Sequence, residues 1–259
     1  MTFRAVEVLR AVDVVLCEDT RHSRTLLTHY HVATAVQSLH EHNEAAMIPS
    51  LVQRLRGGAR LALITDAGTP AISDPGGRLI AAAIGAACAV IPIPGASAVL
   101  AALSASGLAG GPFTFLGFLD RKGPRRQAQL AELSTLRHPG VLYEAPQRVG
   151  ATLADLAAVG CADRQVVVAR ELTKQYEELR RGTVGELAET YTDEAPRGEV
   201  VIVLSGAEQR EPDHDPVELR ETVAGMREAG VGARDIARAL VERFGIARNT
   251  AYLLAHEDP

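Results

Sequence analysis

The sequence predicts an α/β protein, with two α/β domains followed by a small C-terminal helical region. Three observations support this prediction. Short β-branched apolar runs alternate with stretches of helical period, which is typical of parallel sheets covered by helices on both faces. A glycine-rich break at residues 107–112 interrupts the alternation before strands return. Of the 259 residues, 47% are hydrophobic and 23% are charged, which suffices for cores of ordinary size.

In the first domain, residues 1–108, each predicted strand ends in a polar or small-residue turn. The strand-like runs cover residues 12–17, 60–65 and 88–93. Helical periodicity predicts helices over residues 43–57 and 76–87, and an apolar helix after residue 97. Because the carboxyl ends of parallel strands meet at one edge of a sheet, we expect these turns to lie close together.

The second domain, residues 112–206, repeats the alternation. Its predicted strands cover residues 113–116, 140–143, 165–169 and 199–204, and its predicted helices lie near residues 124–134, 149–159 and 184–191. An acidic linker over residues 207–218 follows, in which Asp215-Pro216 is a typical helix start. Three short helices, near residues 216–229, 233–244 and 248–256, then form a helical domain over residues 219–259. In outline they resemble a helix-turn-helix, but accessory packing or RNA binding is favoured over sequence-specific DNA reading.

Composition excludes several classes of protein. No apolar run reaches the roughly 18 residues that a membrane span needs, and residues 1–4 lack the charged and then apolar order of a signal peptide. Cys17, Cys88 and Cys161 lie far apart and form no CxxC pair. This spacing favours reduced thiols over disulfides or a zinc site. We therefore expect a cytoplasmic protein with no membrane partner.

The formal net charge of −5 at first argues against a nucleic-acid partner. Most of this charge lies in the linker, where one Arg stands against five acids. Residues 1–206 carry 20 basic and 21 acidic side chains, and residues 219–259 carry six of each. The net charge therefore does not count against a nucleic-acid partner.

Two turns carry the signs of a ligand site. Residues 65–76 follow one predicted strand and residues 94–97 follow another. Asp66 can balance a positive charge, and Gly68 lets the backbone approach a ligand closely. Alone, the first turn fits equally well a tight turn in which Asp74 caps the next helix. Two such turns at one edge favour a cleft for a small ligand, and the absence of GxGxxG and P-loop patterns argues against phosphate cradling.

Five segments together resemble a known family. They are Glu18–His22, His40–Glu44, Asp66–Gly76, Tyr143–Arg148 and Ala169–Lys174. In this order and at these spacings, the chain resembles the ribosomal RNA small subunit methyltransferase I family, within the tetrapyrrole (corrin/porphyrin) methylase superfamily. The resemblance spans roughly residues 4–205. It implies two α/β domains with S-adenosylmethionine between them, usually a homodimer, and 2′-O-methylation of a cytidine in 16S rRNA of the small ribosomal subunit.

The resemblance also implies roles for individual residues. The cofactor pocket would be lined by Asp66, Ala67, Gly68, Thr69, Pro70, Gly95, Ala96, Ser97 and Tyr143. Catalytic candidates are Glu18, Asp19 and Glu144, and for each of them helix capping or ion pairing is the slightly favoured alternative. Basic side chains that would face RNA phosphate are Arg21, Arg125, Arg126, Arg148, Arg170 and Lys174. A surface loop opening the next helix is the alternative for Arg125 and Arg126.

No metal site is expected, although five histidines fall close together: His22, His29, His31, His40 and His42. No acidic or thiol partner stands at a recognised ligand spacing, so a solvated or hydrogen-bonded role is favoured. Members of the family normally carry a further strand with a Thr-Pro-Ile-Gly-Asn-Leu-type turn, about twenty residues upstream of Phe3. This sequence starts after that turn, so we expect the first domain to lack its first strand and its sheet to have an unpaired edge. Two alternatives stay open: a methylase of tetrapyrroles, and a non-catalytic RNA-binding homologue.

Overall fold

The computed structural model describes residues 1–193, 195–207, 216–246 and 248–256. The chain forms two compact units, Met1–Ala207 and Glu208–Pro259. The first unit contains two sheets and the second contains three helices, so the predicted α/β class with a helical C-terminal region is confirmed. Residues 208–215, most of the predicted acidic linker, lie outside the described residues. Within the described ranges, no helix is both long and apolar enough to cross a bilayer.

The first sheet has three parallel strands in the order β2-β1-β3. The strands are β1 (Val14–Cys17), β2 (Ala35–Ser38) and β3 (Leu61–Leu63). The helices of this half are α1 (Phe3–Ala11), α2 (Thr20–His29), α3 (Glu41–Arg56), α4 (Gly77–Gly85) and α5 (Ala98–Ser106). All four residues of β1 are buried, because helices cover both faces of the central strand. The ends of β1 and β3 carry the predicted site.

The prediction of a strand over residues 88–93 is wrong. This segment has no regular secondary structure, and Val90 and Ile91 are exposed. A strand requires a hydrogen-bonded neighbour, and the described part of the first sheet ends at β3. The segment therefore has the apolar, β-branched composition of a strand, but the described residues provide no neighbouring strand to pair with it.

The second sheet is mixed and has five strands in the order β4-β5-β8-β6-β7. They are β4 (Thr114–Phe118), β5 (Gly140–Glu144), β6 (Gln165–Arg170), β7 (Glu178–Thr183) and β8 (Val200–Leu204). Among the ladders described in this second sheet, only the β4–β5 pair is parallel; β8 runs antiparallel to both of its neighbours, with Val200 opposite Glu144 and Arg170. The accompanying helices are α6 (Pro124–Thr135), α7 (Val149–Leu156) and α8 (Val184–Asp193).

Helix α5 links the two halves of the first unit. It begins after Ser97, whose hydroxyl accepts a hydrogen bond from the amide of Leu100 (3.4 Å). Its residues Val99, Ala102 and Leu103 pack in the same apolar cluster as the inner face of the second sheet. The predicted boundary near residues 108–112 therefore falls after a helix that belongs to the core of the second half.

Close packing of α7 against α8 leads to a stability prediction. A Cβ at Gly150 would lie 2.4 Å from the carbonyl oxygen of Tyr191, which is backbone and cannot rotate away. We expect Gly150→Ala to lower the free energy of unfolding by about 1–3 kcal/mol, because the helices must move apart. Gly85→Ala is the control, since nothing lies within 4 Å of a Cβ there. Urea denaturation measures both variants, and equal stabilities would contradict the prediction.

The described residues of the second unit form α9 (Pro216–Glu228), α10 (Ala233–Phe244) and α11 (Arg248–His256). Its core contains Val223, Ile236, Leu240 and Phe244. These three helices match the prediction closely, because each is amphipathic and a glycine marks each end of α10.

Candidate functional site

The loop between β3 and α4 has an unusual backbone. Four of its residues have positive φ: Gly68 (76°), Ala71 (66°), Ser73 (64°) and Gly76 (118°). For the two non-glycine residues this conformation costs on the order of 1–3 kcal/mol each, and such strain concentrates at ligand sites. Helix α4 begins after Gly76 with no side-chain cap, so Asp74 does not take the capping role considered from the sequence.

The two predicted cofactor turns lie side by side. The hydroxyl of Thr69 donates a hydrogen bond to the carbonyl oxygen of Ala96 (3.0 Å), across 27 residues of sequence. Asp66, Ala67 and Gly68 are exposed in the first turn, as are Gly95 and Ala96 in the second. The structure therefore places the two turns in direct contact, with backbone accessible on both.

The second sheet contributes to the same place. A Cβ at Gly117, near the end of β4, would lie 3.2 Å from the Ser73 hydroxyl. The ring of Tyr143 packs against Phe115 (4.9 Å between centroids) and Phe118 (5.5 Å). Burial raises the pKa of Tyr143, the charge of Asp74 raises it further, and a hydrogen bond from the Val99 amide lowers it in part. Tyr143 thus reaches from β5 to the start of α5, directly after the second turn.

Four carboxylates surround this junction: Glu18, Asp66, Asp74 and Glu199. Burial raises the pKa of Asp74, and the negative charges of Asp66 and Glu199 raise it further. Nearby, Thr65 Oγ1 is buried and has no partner that meets hydrogen-bond geometry. It still lies close enough to Asp74 to lower the pKa of that carboxyl in part. Glu199 is paired with Lys174 (3.1 Å), and the mutual repulsion of Glu18, Asp66 and Asp74 favours a ligand that brings positive charge. We call this junction the acidic cleft.

The three catalytic candidates have different surroundings. Partial burial raises the pKa of Glu18, and the charges of Asp66 and Asp74 raise it further. Asp19 caps α2 by accepting from the Arg21 amide (2.8 Å), and this bonding with the Arg21 guanidinium lowers the pKa of Asp19 to about 2. Glu144 is fully enclosed and bonded within the protein. Glu18 is therefore the candidate whose environment suits a general base at the acidic cleft.

Five of the six cations predicted to face RNA are ion-paired. The pairs are Arg21–Asp19 (3.0 Å), Arg126–Asp155 (2.6 Å), Arg148–Glu144 (3.3 Å), Arg170–Glu178 (2.6 Å) and Lys174 with Glu171 (2.9 Å) and Glu199 (3.1 Å). Arg126 is only 6% exposed, so an RNA contact at that residue does not fit its position. Arg125 is exposed.

The exposed cations nearest to Arg125 in sequence are Arg121 and Lys122, and all three flank the start of α6. In the part of the chain that the structure describes, none of the three has an ion-pair partner. We call residues 119–125 the basic turn. It directly follows β4, whose last residues contact Ser73 and Tyr143 at the acidic cleft.

Sequence reasoning did not assign Ser73, Asp74 and Glu199 to the site. Asp74 lies within a recognised motif, where its carboxyl group was considered only as a cap. Glu199 lies at the start of β8 and meets the cleft only through the pairing of β8 with β5 and β6. No group of three or more potential ligands for a metal ion occurs among the described residues, and His40 instead donates its amide to Asn43 Oδ1 (2.8 Å).

Solved structures share this two-part α/β architecture. Cobalt precorrin-4 methyltransferase, a cobalamin biosynthetic enzyme, superposes with a TM-score of 0.59 at 20% identity, covering 79% of this chain and 88% of that chain. Uroporphyrin-III C-methyltransferase from Thermus thermophilus, complexed with S-adenosyl homocysteine, gives a TM-score of 0.56 at 17% identity, covering 78% and 90%. The fold is therefore that of this class of methyltransferases.

The chain belongs to the tetrapyrrole (corrin/porphyrin) methylase family, whose model matches residues 1–188. A relative named ribosomal RNA small subunit methyltransferase I, from Synechocystis sp., is 42% identical over 258 residues, which is 99% of this chain and 92% of the relative. A protein of the same name from Streptococcus pyogenes serotype M1 is 40% identical over 261 residues, covering 99% and 90%. The family resemblance seen in the sequence is confirmed.

Proposed function

We propose that this chain is an S-adenosylmethionine-dependent methyltransferase of ribosomal RNA in the small subunit, and that its acceptor is the 2′-hydroxyl of a cytidine in 16S rRNA. The observation that carries the proposal is 42% identity, over 99% of the chain, to a relative of that name. The acidic cleft and the adjacent basic turn support it, because they offer separate places for a cationic methyl donor and for an anionic RNA.

The acidic cleft fits S-adenosylmethionine chemically. The cofactor carries a sulfonium and an ammonium group, and the carboxylates of Glu18, Asp66 and Asp74 provide negative charge at the junction of the two turns. The Thr65 hydroxyl is buried beside Asp74 and lowers the pKa of that carboxyl in part, which favours its charged form. The open backbone of Gly68 and Gly95, where a Cβ would meet nothing within 4 Å, allows close approach.

When bound, the cofactor supplies an electrophilic methyl group. The protein's own residues then have three tasks. The turns at residues 66–70 and 95–97 orient the donor, and well-oriented reactions gain about 7–11 kcal/mol in this way. Glu18 accepts the proton of the ribose hydroxyl, since its raised pKa brings it closer to the working pH than an ordinary carboxylate. The aromatic side chains Tyr143 and Phe118, whose rings pack against each other, supply an apolar rim beside the turns.

The direct test is methyl transfer with the purified chain. Small ribosomal subunits that lack the modification are incubated with labelled S-adenosylmethionine, and digested 16S rRNA is analysed by mass spectrometry for 2′-O-methylcytidine. Appearance of that nucleoside supports the proposal. Transfer to a corrin or porphyrin, with none to RNA, would favour a tetrapyrrole methylase. RNA binding without cofactor binding would favour a non-catalytic homologue.

The basic turn gives a prediction for RNA binding. We expect Arg125→Glu to weaken binding of a small-subunit RNA by about tenfold and to reduce its salt dependence, because a phosphate contact is replaced by repulsion. Arg137→Glu is the matched control: it makes the same charge change just beyond the other end of α6, roughly 18 Å away along a 12-residue helix. Filter binding measures both variants, and equal affinities would contradict the assignment. Binding of S-adenosylmethionine should be unchanged in each.

The homodimer and the cytoplasmic location stay predictions.

A further inference from the structure

A buried polar network connects the second sheet with the basic turn. Its centre is Glu144, the last residue of β5, whose side chain is 0% exposed. Glu144 accepts hydrogen bonds from the Ala145 amide (2.8 Å) and from the Thr152 hydroxyl (2.6 Å), and it pairs with Arg148 Nε at 3.3 Å. Three donors on one enclosed carboxylate fix its orientation.

Thr152 extends the network to a second arginine. Its hydroxyl, which donates to Glu144, accepts a hydrogen bond from Arg126 Nη2 (3.1 Å). The Arg126 side chain is also held by Asp155, through Nε (2.9 Å) and Nη2 (2.6 Å). Thr152 is itself 0% exposed, so water does not replace either bond. It therefore joins the carboxylate on β5 to the guanidinium on α6.

Both arginines end on the backbone of the basic turn. Arg148 Nη2 donates to the carbonyl oxygens of Leu119 (2.9 Å) and Asp120 (3.4 Å), and Arg126 Nη1 donates to the Asp120 carbonyl oxygen (3.1 Å). The Asp120 amide donates to Gln129 Oε1 (2.9 Å). The backbone is thus fixed through both its carbonyl and its amide groups, directly before the exposed cations.

Stability alone does not explain such a network. Buried ion pairs contribute little net stability when compared with apolar side chains of the same shape. The surrounding core already contains Leu119, Leu130, Leu153 and Leu156, each at most 1% exposed. What charged hydrogen bonds add is direction, because their energy falls steeply when the groups are displaced.

We propose that Glu144, Thr152, Arg126 and Arg148 are positioning residues that hold the basic turn in the conformation that binds RNA phosphate at the edge of the acidic cleft. The inference rests on the proposed function, since it takes RNA as the substrate. It gives Glu144, Arg126 and Arg148 roles that differ from direct catalysis or direct RNA contact. None of the four acts on the reacting atoms.

Thr152→Val tests the inference, because it keeps the shape and removes the bridging hydroxyl. The expected result is an RNA Kd and an RNA KM raised about five- to tenfold, with the salt slope reduced by about one. The kcat at saturating RNA and the Kd of S-adenosylmethionine should change less than about twofold. Thr152→Ser retains the hydroxyl and should restore RNA affinity.

A mutant cycle separates positioning from loss of stability. In a chain that carries Arg121→Gln, Lys122→Gln and Arg125→Gln, the further change Thr152→Val should weaken RNA binding no more, since the cations it positions are gone. Additive losses would overturn the inference. So would a lower melting temperature for Thr152→Val with unchanged RNA affinity. If instead the unaltered chain methylates no small-subunit RNA, the proposed function fails. The RNA affinities of the mutant cycle still test whether the network positions the basic turn.

Discussion

The proposed function predicts that Glu18→Gln lowers kcat by about 10²–10⁴, because the ribose hydroxyl would lose the group proposed to accept its proton. The variant keeps the size of the side chain and removes only its charge and basicity. In the unaltered enzyme, kcat should fall with acidification at a pH above the usual range of a glutamate. The reason is that partial burial, with Asp66 and Asp74 beside it, raises the pKa of Glu18. Single-turnover methylation rates over a range of pH measure both effects.

Asp19→Asn is the matched control for Glu18→Gln, since it neutralises the adjacent carboxylate. Asp19 is bonded to Arg21 and has a pKa of about 2, so its removal should affect α2 and leave the pH profile of kcat unchanged. The assignment of the base to Glu18 would be incorrect if Glu18→Gln retained normal kcat. It would also be incorrect if Asp19→Asn alone abolished the fall of kcat at low pH.

Asp74→Asn is expected to change stability and cofactor binding in opposite directions. Because its pKa is raised in the folded chain, Asp74 binds protons more readily there than in the unfolded chain, and its contribution to stability falls as pH rises through that interval. Removing the charge should raise the melting temperature of the free protein at pH 7 by roughly 1–3 °C. Affinity for S-adenosylmethionine should fall about tenfold, or ~1.4 kcal/mol, because a countercharge is lost.

The product of the reaction serves as the control ligand for Asp74→Asn. S-adenosylhomocysteine lacks the sulfonium charge, so its affinity should fall less than that of S-adenosylmethionine. Isothermal titration measures the affinities for both ligands, and a thermal melt without ligand measures the melting temperature. Equal losses for the two ligands would mean that Asp74 does not act on the sulfonium charge.

Sequence patterns predict the elements of this fold where local composition and burial agree. Val14–Cys17 and Val200–Leu204 are continuous apolar runs, and both form central, buried strands. β7, with the sequence ELRRGT, is a strand only because β6 pairs with it, and its polar residues are those of a partly exposed sheet edge. The segment at residues 88–93 is the converse case, since it has strand composition and no partner.

The site follows the same rule. The turns at residues 66–70 and 95–97 could be located from the sequence, because strand ends and glycine are local signals. The environments of the carboxylates could not be predicted from the sequence, because they depend on residues distant in the chain. Glu144 is enclosed only once α7 packs on β5 and brings in Thr152. Glu199 approaches Asp74 only across the finished second sheet.

The attachment of α5 to the second sheet sets the order in which the proposed cofactor site can form. The turn at residues 95–97 leads directly into α5, and α5 is buried against β8, which is completed only at Leu204. During synthesis the ribosome must therefore have released the chain beyond residue 204 before this turn has its support. A fragment that ends near residue 108 would have every residue of both turns and still lack the surface that holds the second one in place.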